Sequence, residues 1–322
     1  YSTDLYSCFY RRFIDFCDRN GLIGQIIGNT WMFIKSFESM RQDLIQNRHI
    51  DSFVQIRDIS NHPDIFGANA AFVIQPKPSS TLSVFLTLSS NSSSAKAEEL
   101  RQNAKDTMGP QRYEVDQQEF AQIPGSPIVY WLPEALISDF SNPPLYTLAE
   151  CKHGMSTGNN ESMLRYWHEV DSNKIIVDCT SEQQAYSMTG WFPYNKGGEY
   201  RKWYGNRDFV IRYDKTGQDH MRALPGFRHD GHAYFFKPAI SWSKISSGEP
   251  AFRAFQNGYV FDVAGCSFFP NDLADYNMLL GICNSSTVKN ILAAISPTLN
   301  YEVGQIAKIP IRKVENADLV EN

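Results

Sequence analysis

Leu22-Ile23-Gly24-Gln25-Ile26-Ile27 is the stretch that decides the fold of the first part of the chain. Its apolar character is typical of a strand buried in a sheet, and the preceding Asn20-Gly21 predicts a helix end, because glycine readily takes the left-handed cap conformation. A helix is predicted over residues 36–47, and strands over residues 50–56 and 70–74. The loop between those two strands is too short for a crossover helix, so we predict that they are antiparallel.

The opening residues carry an apolar stripe. Leu5, Phe9, Phe13 and Phe16 recur at helical spacing, which predicts a helix that packs through these four side chains. The sequence opens on Tyr1 within this pattern, so we expect it to be part of a longer protein.

The composition indicates an ordered chain with more than one domain. It has 322 residues, of which 42% are apolar and 13% aromatic, enough to bury real cores. The six cysteines lack metal-binding spacing, and there is no apolar run of membrane-spanning length. We therefore expect reduced thiols, a cytoplasmic location, no metal site and no membrane partner.

The net charge of −5 argues against binding nucleic acid through bulk charge. A local basic surface is nevertheless predicted, because the segment from Trp191 to Lys244 holds ten Lys and Arg residues against five acids.

Several blocks resemble one family. In chain order they are residues 6–9, 24–33, 36–41, 154–160, 165–170, 191–205, 240–243, 246–248 and 261–265. These blocks are similar to the region that follows the catalytic motif in PglX-type adenine-specific DNA methyltransferases of BREX phage-defence systems, within the Eco57I-like N6-adenine methylases. The likeness covers most of the chain and is weakest from Lys77 to Pro144.

The resemblance implies three regions. Residues 1–76 would be the C-terminal half of an α/β, class I (Rossmann-like) methyltransferase sheet, which ends in an antiparallel hairpin. Residues 77–144, rich in Pro, Ser and Thr at their start, would connect it to residues 145–322. That last region would be an α+β target-recognition domain similar to those of type I specificity subunits, with one helix near residues 279–295.

The resemblance also implies a cofactor and a partner. The full-length protein would use S-adenosylmethionine to methylate adenine N6 in double-stranded DNA, with other defence-system subunits as further partners. We expect no catalytic or cofactor-binding residue in this chain, because it has no Gly-rich loop after an early strand. Asn142-Pro143-Pro144-Leu145-Tyr146 comes close to the catalytic turn, but it follows the whole sheet and has Leu145 where a stacking ring is needed. We interpret it as a linker.

Phe66 is the candidate for the adenine pocket. In related adenine methyltransferases an aromatic residue between the last two strands packs against the flipped base, and Phe66 precedes the final predicted strand. It would equally serve as an apolar cap on the sheet.

A second candidate site is the loop of Thr157, Gly158, Asn159 and Asn160. Small and amide residues permit close backbone approach and bonds to adenine edges. The same residues make an ordinary tight turn.

The third candidate is a basic and aromatic segment. Its predicted DNA contacts are Lys196, Gly197, Gly198, Tyr200, Arg201, Lys202 and Trp203, with Lys244 further along. Cations would neutralise phosphates, and the two glycines would let backbone N–H groups approach them. The alternative is a solvated hairpin with a Gly-Gly turn.

Two function classes stay open on this basis. The first is a DNA methyltransferase in which this chain provides target recognition. The second is a non-enzymatic DNA-specificity subunit of a restriction-modification or phage-defence complex, and a fused restriction-modification protein is a further variant. Pro63-Asp64 and Glu150-Cys151-Lys152 lie too far apart to favour a metal-dependent nuclease.

Overall fold

The computed structural model describes residues 5–56, 69–90, 92–246, 248–296 and 300–312. The chain forms two compact units, Tyr1–Ser141 and Asn142–Asn322. Phe66, the candidate for the adenine pocket, and Pro63-Asp64 lie outside the described residues.

The first unit is built on one mixed sheet of five strands. The strands are β1 (Ile23–Gly28), β2 (His49–Ile56), β3 (Asn69–Gln75), β4 (Ser83–Leu88) and β5 (Arg112–Val115), in the spatial order β1-β3-β2-β4-β5. The helices are α1 (Leu5–Phe16), α2 (Glu38–Asn47), α3 (Ser93–Lys105) and α4 (Glu134–Ser138). β3 runs antiparallel to β1 and β2, and β4 is parallel to β2. The antiparallel pairing predicted for residues 50–56 and 70–74 is confirmed.

The two faces of this sheet differ. Alternate residues such as Ile23, Phe53 and Phe72 are buried in the core, as the period of two in a strand requires. On the opposite face Gly24 is exposed and Ile26 is 67% exposed. Within the described residues, β1 pairs on one side only, with β3.

Helix α1 packs through a different face from the predicted one. Its buried residues are Ser7, Tyr10 and Ile14. The four side chains of the predicted stripe are all exposed: Leu5 by 70%, Phe9 by 50%, Phe13 by 39% and Phe16 by 68%. The helical period was therefore predicted correctly and the packing face wrongly, because the apolar side chains form an outward stripe typical of an interaction surface.

Residues 77–144 were predicted to be a connecting region, and most of them belong to the first unit instead. Strands β4 and β5 extend its sheet. Phe85 of β4 is fully buried and stacks on Tyr130 at 4.7 Å between ring centroids, and it meets the buried Phe120 edge-on. These aromatic side chains complete the core, which explains why the unit extends to Ser141.

Arg41 on α2 ties together three segments of the first unit. Its side chain is buried and all three nitrogens donate to backbone carbonyl oxygens. The acceptors are Trp31, Ile34, Gly125 and Ser126, at 2.6 to 3.1 Å. Burial lowers the pKa of Arg41 to about 10, and Glu38 opposes this effect. The loop before α2 is thus joined by one cation to the segment that holds Gly125 and Ser126.

The second unit contains three small sheets. Their strands are β6 (Ala149–Lys152), β7 (Ser156–Thr157), β8 (Leu164–Tyr166), β9 (Phe192–Asn195), β10 (Phe209–Ile211), β11 (Phe227–Arg228), β12 (Ala239–Trp242), β13 (Phe252–Phe255), β14 (Val260–Phe261) and β15 (Ser267–Pro270). The orders are β14-β9-β10-β8, β13-β12-β15-β6 and β11-β7. The helices are α5 (Asn160–Met163), α6 (Glu182–Ser187), α7 (Lys215–Arg222), α8 (Tyr276–Cys283), α9 (Ser286–Ile295) and α10 (Val303–Ile306).

The single helix predicted near residues 279–295 is two helices, α8 and α9. The Asn284 amide donates to the Phe252 carbonyl at 2.9 Å and accepts from the Phe252 N–H at 3.0 Å, and Ser285 caps α9. Asn284 therefore satisfies the backbone of β13 where the helix breaks. Within the described ranges, no single helix is long and apolar enough to cross a membrane. Two consecutive segments, Leu273–Cys283 and Ser286–Ile295, together have the length and composition of a membrane span, but a 74° bend separates them.

Residues 142–146, the predicted linker, open the second unit. Pro144 forms an antiparallel bridge with Pro310, and the Leu145 N–H donates to the Ile309 carbonyl at 2.8 Å. The start of the second unit is therefore fastened to its final described residues.

Candidate nucleic-acid interface

The loop between β9 and β10, residues 196–208, lies at one end of the β14-β9-β10-β8 sheet. We call it the β9–β10 loop. Phe209 at the start of β10 pairs with Tyr194 of β9 on one side and with Tyr166 of β8 on the other. The Trp167 N–H then donates to the Asp208 carbonyl at 2.9 Å. The end of β8 and the β9–β10 loop therefore lie at the same end of the sheet.

Aromatic side chains are exposed at this end. In the loop, Tyr200 is 50% exposed, Trp203 52% and Tyr204 65%, and next to β8 Trp167 is 56% exposed. Rings of this size normally lie in the core of a protein. Their concentration beside cations is typical of a surface that contacts another molecule.

The backbone of Trp203 is held in an uncommon conformation. Its φ is 71°, in the left-handed region that a bulky side chain rarely adopts. Two hydrogen bonds to β13 maintain it, from the Trp203 N–H to the Phe252 carbonyl at 3.2 Å and from the Ala254 N–H to the Trp203 carbonyl at 2.9 Å. The sheet therefore fixes the position from which this half-exposed ring projects.

Arg253 on β13 supports the loop from below. It is fully buried, and it donates to the Ser243 hydroxyl at 3.0 Å and to the Arg201 carbonyl at 3.5 Å. The Ser243 hydroxyl in turn donates to the Gly198 carbonyl at 2.6 Å. Burial, reinforced by the Arg201 charge, lowers the pKa of Arg253 to about 10. One buried cation thus orients two points of the exposed loop.

The Gly-Gly turn has a structural role that its sequence did not predict. Gly197 is buried with φ 73°, and a Cβ there would lie 2.5 Å from the Ala264 carbonyl oxygen. Its N–H donates to the Asn195 side chain at 3.2 Å. The Gly197 N–H thus already has an acceptor inside the protein, which does not favour its predicted contact with a phosphate. Gly198 is exposed, and its predicted contact stays a prediction.

Most predicted cations already have partners. Lys196 lies 3.7 Å from Asp262, Lys244 lies 3.1 Å from Glu302, and the Lys202 ammonium donates to a backbone carbonyl at 3.0 Å. The exposed Arg201 has no acidic partner among the described residues. Lys196 and Lys244 are therefore partly neutralised by acids, whereas Arg201 and Lys202, whose acceptor is an uncharged carbonyl, keep their positive charge.

Arg207 adds a contact that the sequence analysis did not single out. Its guanidinium lies 3.9 Å from the centroid of the Tyr204 ring and donates to the Ala254 carbonyl at 2.8 Å. This cation–π pair fixes the most exposed ring of the loop. The spacing of Tyr204 and Arg207, three residues apart, was visible in the sequence. Their contact depends on the conformation of the loop, which the sequence pattern does not give.

The Thr157–Asn160 loop is largely a structural turn. Thr157 is 2% exposed and its hydroxyl donates to the Asn160 side chain at 2.8 Å. Asn159 caps α5 by accepting from the Ser162 N–H, and Gly158 has φ 78° with Leu224 at its Cβ position. The predicted contact through the Thr157 side chain does not fit its burial.

The two predicted DNA-contacting segments lie at opposite ends of β8. The Thr157–Asn160 loop precedes β8 at Leu164, whereas the β9–β10 loop lies beyond Tyr166. The rest of α5 and the whole of β8, residues 161–166, separate them in the chain. Only the second segment combines exposed rings with cations, so it is the stronger candidate.

Comparison with known proteins first gives a class. Residues 1–63 match the family described as Eco57I restriction-modification methylase. The fold is similar over 99% of this chain to that of MmeI, a type IIL restriction-modification enzyme solved in complex with DNA. The TM-score is 0.53 at 11% identity, over 41% of the MmeI chain. The chain therefore has an α/β fold of the restriction-modification methyltransferase class.

Two curated relatives are more specific. The chain is 32% identical over 99% of its length to the adenine-specific methyltransferase PglX of Lacticaseibacillus casei (strain Zhang), and 28% identical over 97% to BrxX of Escherichia coli O9:H4 (strain HS). The resemblance to PglX-type adenine-specific methyltransferases is thus confirmed, and the chain is a homologue of them. It spans 27% and 25% of the lengths of these relatives, about a quarter in each case.

Proposed function

We propose that this chain is part of an adenine-specific DNA methyltransferase and that its second unit contacts the DNA target. The whole protein would act in the cytoplasm on double-stranded DNA, together with other subunits of a phage-defence system. It would transfer the methyl group of S-adenosylmethionine to adenine N6. The names of the PglX and BrxX relatives, and the matching first 63 residues, support this reaction.

The strand order of the first unit supports its assignment to the end of a methyltransferase sheet. β1 and β2 run in the same direction with the antiparallel β3 between them. A class I methyltransferase sheet closes with such an antiparallel strand inserted beside its last parallel strands. In this assignment the α2 segment is the connection between the two parallel strands.

The described residues of the first unit do not fit S-adenosylmethionine on their own. β1 continues directly into a 3₁₀ turn, Asn29–Met32, whose Trp31 and Met32 are buried. No Gly-rich loop follows a strand in the described part of this unit. We therefore derive no catalytic step from this chain, and other segments of the full-length protein would hold the cofactor.

The observation that carries the DNA-contact proposal is the fixed exposure of the β9–β10 loop. Trp203 projects from a backbone bonded to β13, and the buried Arg253 holds the carbonyl of Arg201. A surface fixed before binding loses less conformational entropy when it meets its partner. Such a loop suits a duplex backbone, with Arg201 on a phosphate and the rings against sugar or base edges.

Binding of this chain to mixed-sequence duplex DNA across a salt series tests the proposal. We expect the logarithm of the affinity to fall linearly with the logarithm of salt concentration. Arg201→Ala should flatten that slope by about 1, as for the loss of one phosphate contact. Trp203→Asn, which removes the ring but tolerates positive φ, should weaken binding by about 1 kcal/mol or more, about fivefold.

Matched controls lie on surfaces without the proposed role. Arg101 on α3 has an exposed side chain, and Tyr146 is 59% exposed in the second unit. Arg101→Ala and Tyr146→Ala should leave the affinity and its salt slope unchanged. If Arg201→Ala and Arg101→Ala had equal effects, the β9–β10 loop would be a solvated surface and the proposal would fail.

A further inference from the structure

Three side chains with metal-binding atoms converge in the second unit, away from the β9–β10 loop. Glu182 is the first residue of α6, and His229 and His232 follow β11. The Glu182 Oε1 atom lies 2.7 Å from His229 Nε2, and its Oε2 atom lies 3.3 Å from His232 Nδ1. One ligand atom from each residue lies within 4.8 Å of the other two. The sequence predicted no metal site, because its Cys and His residues lack the spacing of known metal motifs and Glu182 lies far from both histidines in the chain.

The local backbone explains how the two histidines face the same carboxylate. Between them Gly231 has φ 69°, and a Cβ there would lie 2.4 Å from the His153 carbonyl oxygen. Only glycine fits this reversal. The two imidazole rings then stack at 4.4 Å between centroids. On the opposite side, Ser181 caps α6 and fixes the start of the helix that carries Glu182.

A buried hydroxyl orients the carboxylate. Tyr213 is fully buried, and its hydroxyl lies 2.8 Å from Glu182 Oε1 and 2.7 Å from His229 Nε2. Because the Tyr213 ring is enclosed by the core, this hydroxyl has little freedom to move. With an ion bound, the His229 Nε2 lone pair would face the ion, so the hydroxyl would act by orienting the Glu182 carboxylate, and a partner of this kind is worth about 10–100-fold in affinity.

The cluster is accessible from a pocket of about 710 Å³. His232 is half exposed at the wall of this pocket, where Arg222 and Lys237 also lie. The charge of Arg222 is partly balanced, since its guanidinium lies 3.4 Å from Asp219. An ion could therefore reach the three ligand atoms from solvent without a change in the core.

We propose that Glu182, His229 and His232 bind a divalent transition-metal ion, with Zn²⁺ as the fitting case. Two imidazole nitrogens and one carboxylate oxygen form a ligand set that Zn²⁺ and its neighbours favour over Mg²⁺ or Ca²⁺, which take mainly oxygen ligands. With three protein ligands, the fourth position of a tetrahedral ion faces the pocket. The ion would link α6 to the loop after β11, and the proposal does not depend on DNA binding.

Titration of the chelator-treated, dialysed chain with Zn²⁺ by calorimetry is the direct test. We expect one tight site per chain and a rise in Tm on addition of Zn²⁺, because an ion that binds only the folded state stabilises it. His232→Ala should weaken that site by at least about tenfold. Co²⁺ should give visible ligand-field absorption in the unsubstituted chain and lose it in His232→Ala.

Two further variants make the outcome decisive. His220→Ala changes an exposed histidine of α7 outside the cluster and should leave the site intact. Glu182→Gln keeps the shape of the side chain and should weaken binding as His232→Ala does. Because His232 is half exposed, its variant should fold, and circular dichroism of the metal-free chain checks this. Absence of a tight site, or equal Zn²⁺ affinity in His232→Ala, would show that the cluster is a hydrogen-bonded group only.

Discussion

Among the described residues, each unit of the molecule buries one arginine, Arg41 in the first and Arg253 in the second, and the two side chains bond to different parts of the structure. All three nitrogens of Arg41 donate to carbonyl oxygens of the unit's interior. Arg253 uses two nitrogens, and its Nε has no partner among the described residues. Burial lowers the pKa of both to about 10.

The difference separates a cation that holds a fold from one that shapes a surface. The carbonyls bonded to Arg41 belong to segments on both sides of α2 in sequence, so this one side chain reinforces the contact between those segments. Arg253 bonds to Ser243 and to the carbonyl of Arg201, which belongs to an exposed loop. A buried polar network that is fully satisfied rigidifies what it joins. The two arginines should therefore differ in what their loss disturbs.

The largest effect on stability is expected from Arg41→Met. This substitution keeps an unbranched side chain but removes the Arg41 donor from four backbone carbonyls, and the buried bonds to Trp31 and Ser126 are the costliest to lose, at about 1–3 kcal/mol each. We expect the free energy of unfolding to fall by at least about 2 kcal/mol in urea denaturation. Arg101→Met on the exposed face of α3 should change it by less than about 0.5 kcal/mol. Equal losses in the two variants would contradict the assigned role.

A smaller effect on stability, with a clear effect on DNA binding, is expected from Arg253→Met. Arg201 is exposed, so water can replace the bond to its carbonyl, and the buried Ser243 hydroxyl keeps its bond to Gly198; the stability cost should therefore be about 1 kcal/mol. The looser loop should reduce DNA affinity about fivefold, a loss that alanine scanning commonly finds at central interface positions. Backbone hydrogen exchange should rise in residues 196–208 only. If Arg253→Met bound DNA as tightly as the unsubstituted chain while Arg201→Ala bound it more weakly, the rigidity of the loop would be unimportant for DNA binding.

Strands of the first unit were predicted correctly where apolar residues were continuous or alternating, and were missed where Pro and Ser interrupted the pattern. Residues 22–27, 50–56 and 70–74 carry continuous or alternating apolar side chains and are strands, as predicted. Residues 83–88 form β4, but the Pro and Ser residues before them favoured a connecting region. The stripe of α1 shows a limit of another kind, since periodicity identifies a helix but not which neighbour is present to cover its apolar face.

The composition of the sequence selected the candidate interface, and the ion pairs and hydrogen bonds of the structure show which of its residues already have partners. Aromatic and basic residues within residues 196–204 were sufficient to select the loop. The charge of Lys196 is partly neutralised by Asp262, and the buried Arg253 that supports the loop lies about fifty residues downstream. Likewise Glu182 is far from His229 in sequence. Contacts between such distant residues depend on the sheet topology, which no local pattern contains.

The smallest effect concerns a turn of the first unit that is held by a partly exposed carboxylate, in contrast to the buried arginines. Glu99 on α3 accepts hydrogen bonds from the Ser89 N–H and hydroxyl at 2.9 Å and from the Ser90 N–H at 3.0 Å. Slight burial would raise the pKa of Glu99, but these hydrogen bonds outweigh it and lower the pKa from 4.5 to about 2.

Because the folded-state pKa of Glu99 is depressed, its stabilising contribution is fully present above the unfolded value of about 4.5 and is lost as the pH falls through about 2. Glu99→Gln should therefore lower the free energy of unfolding at pH 7, and the gap to the unsubstituted chain should close between pH 4.5 and 2. The gap should be small, since solvent screens the carboxylate. Glu98→Gln, one residue away with a side chain that is 61% exposed, should show no such pH dependence. A constant gap for Glu99→Gln across this range would mean that the turn is held by packing and not by the ionised carboxylate, and fastening by charge would then be confined to the buried arginines.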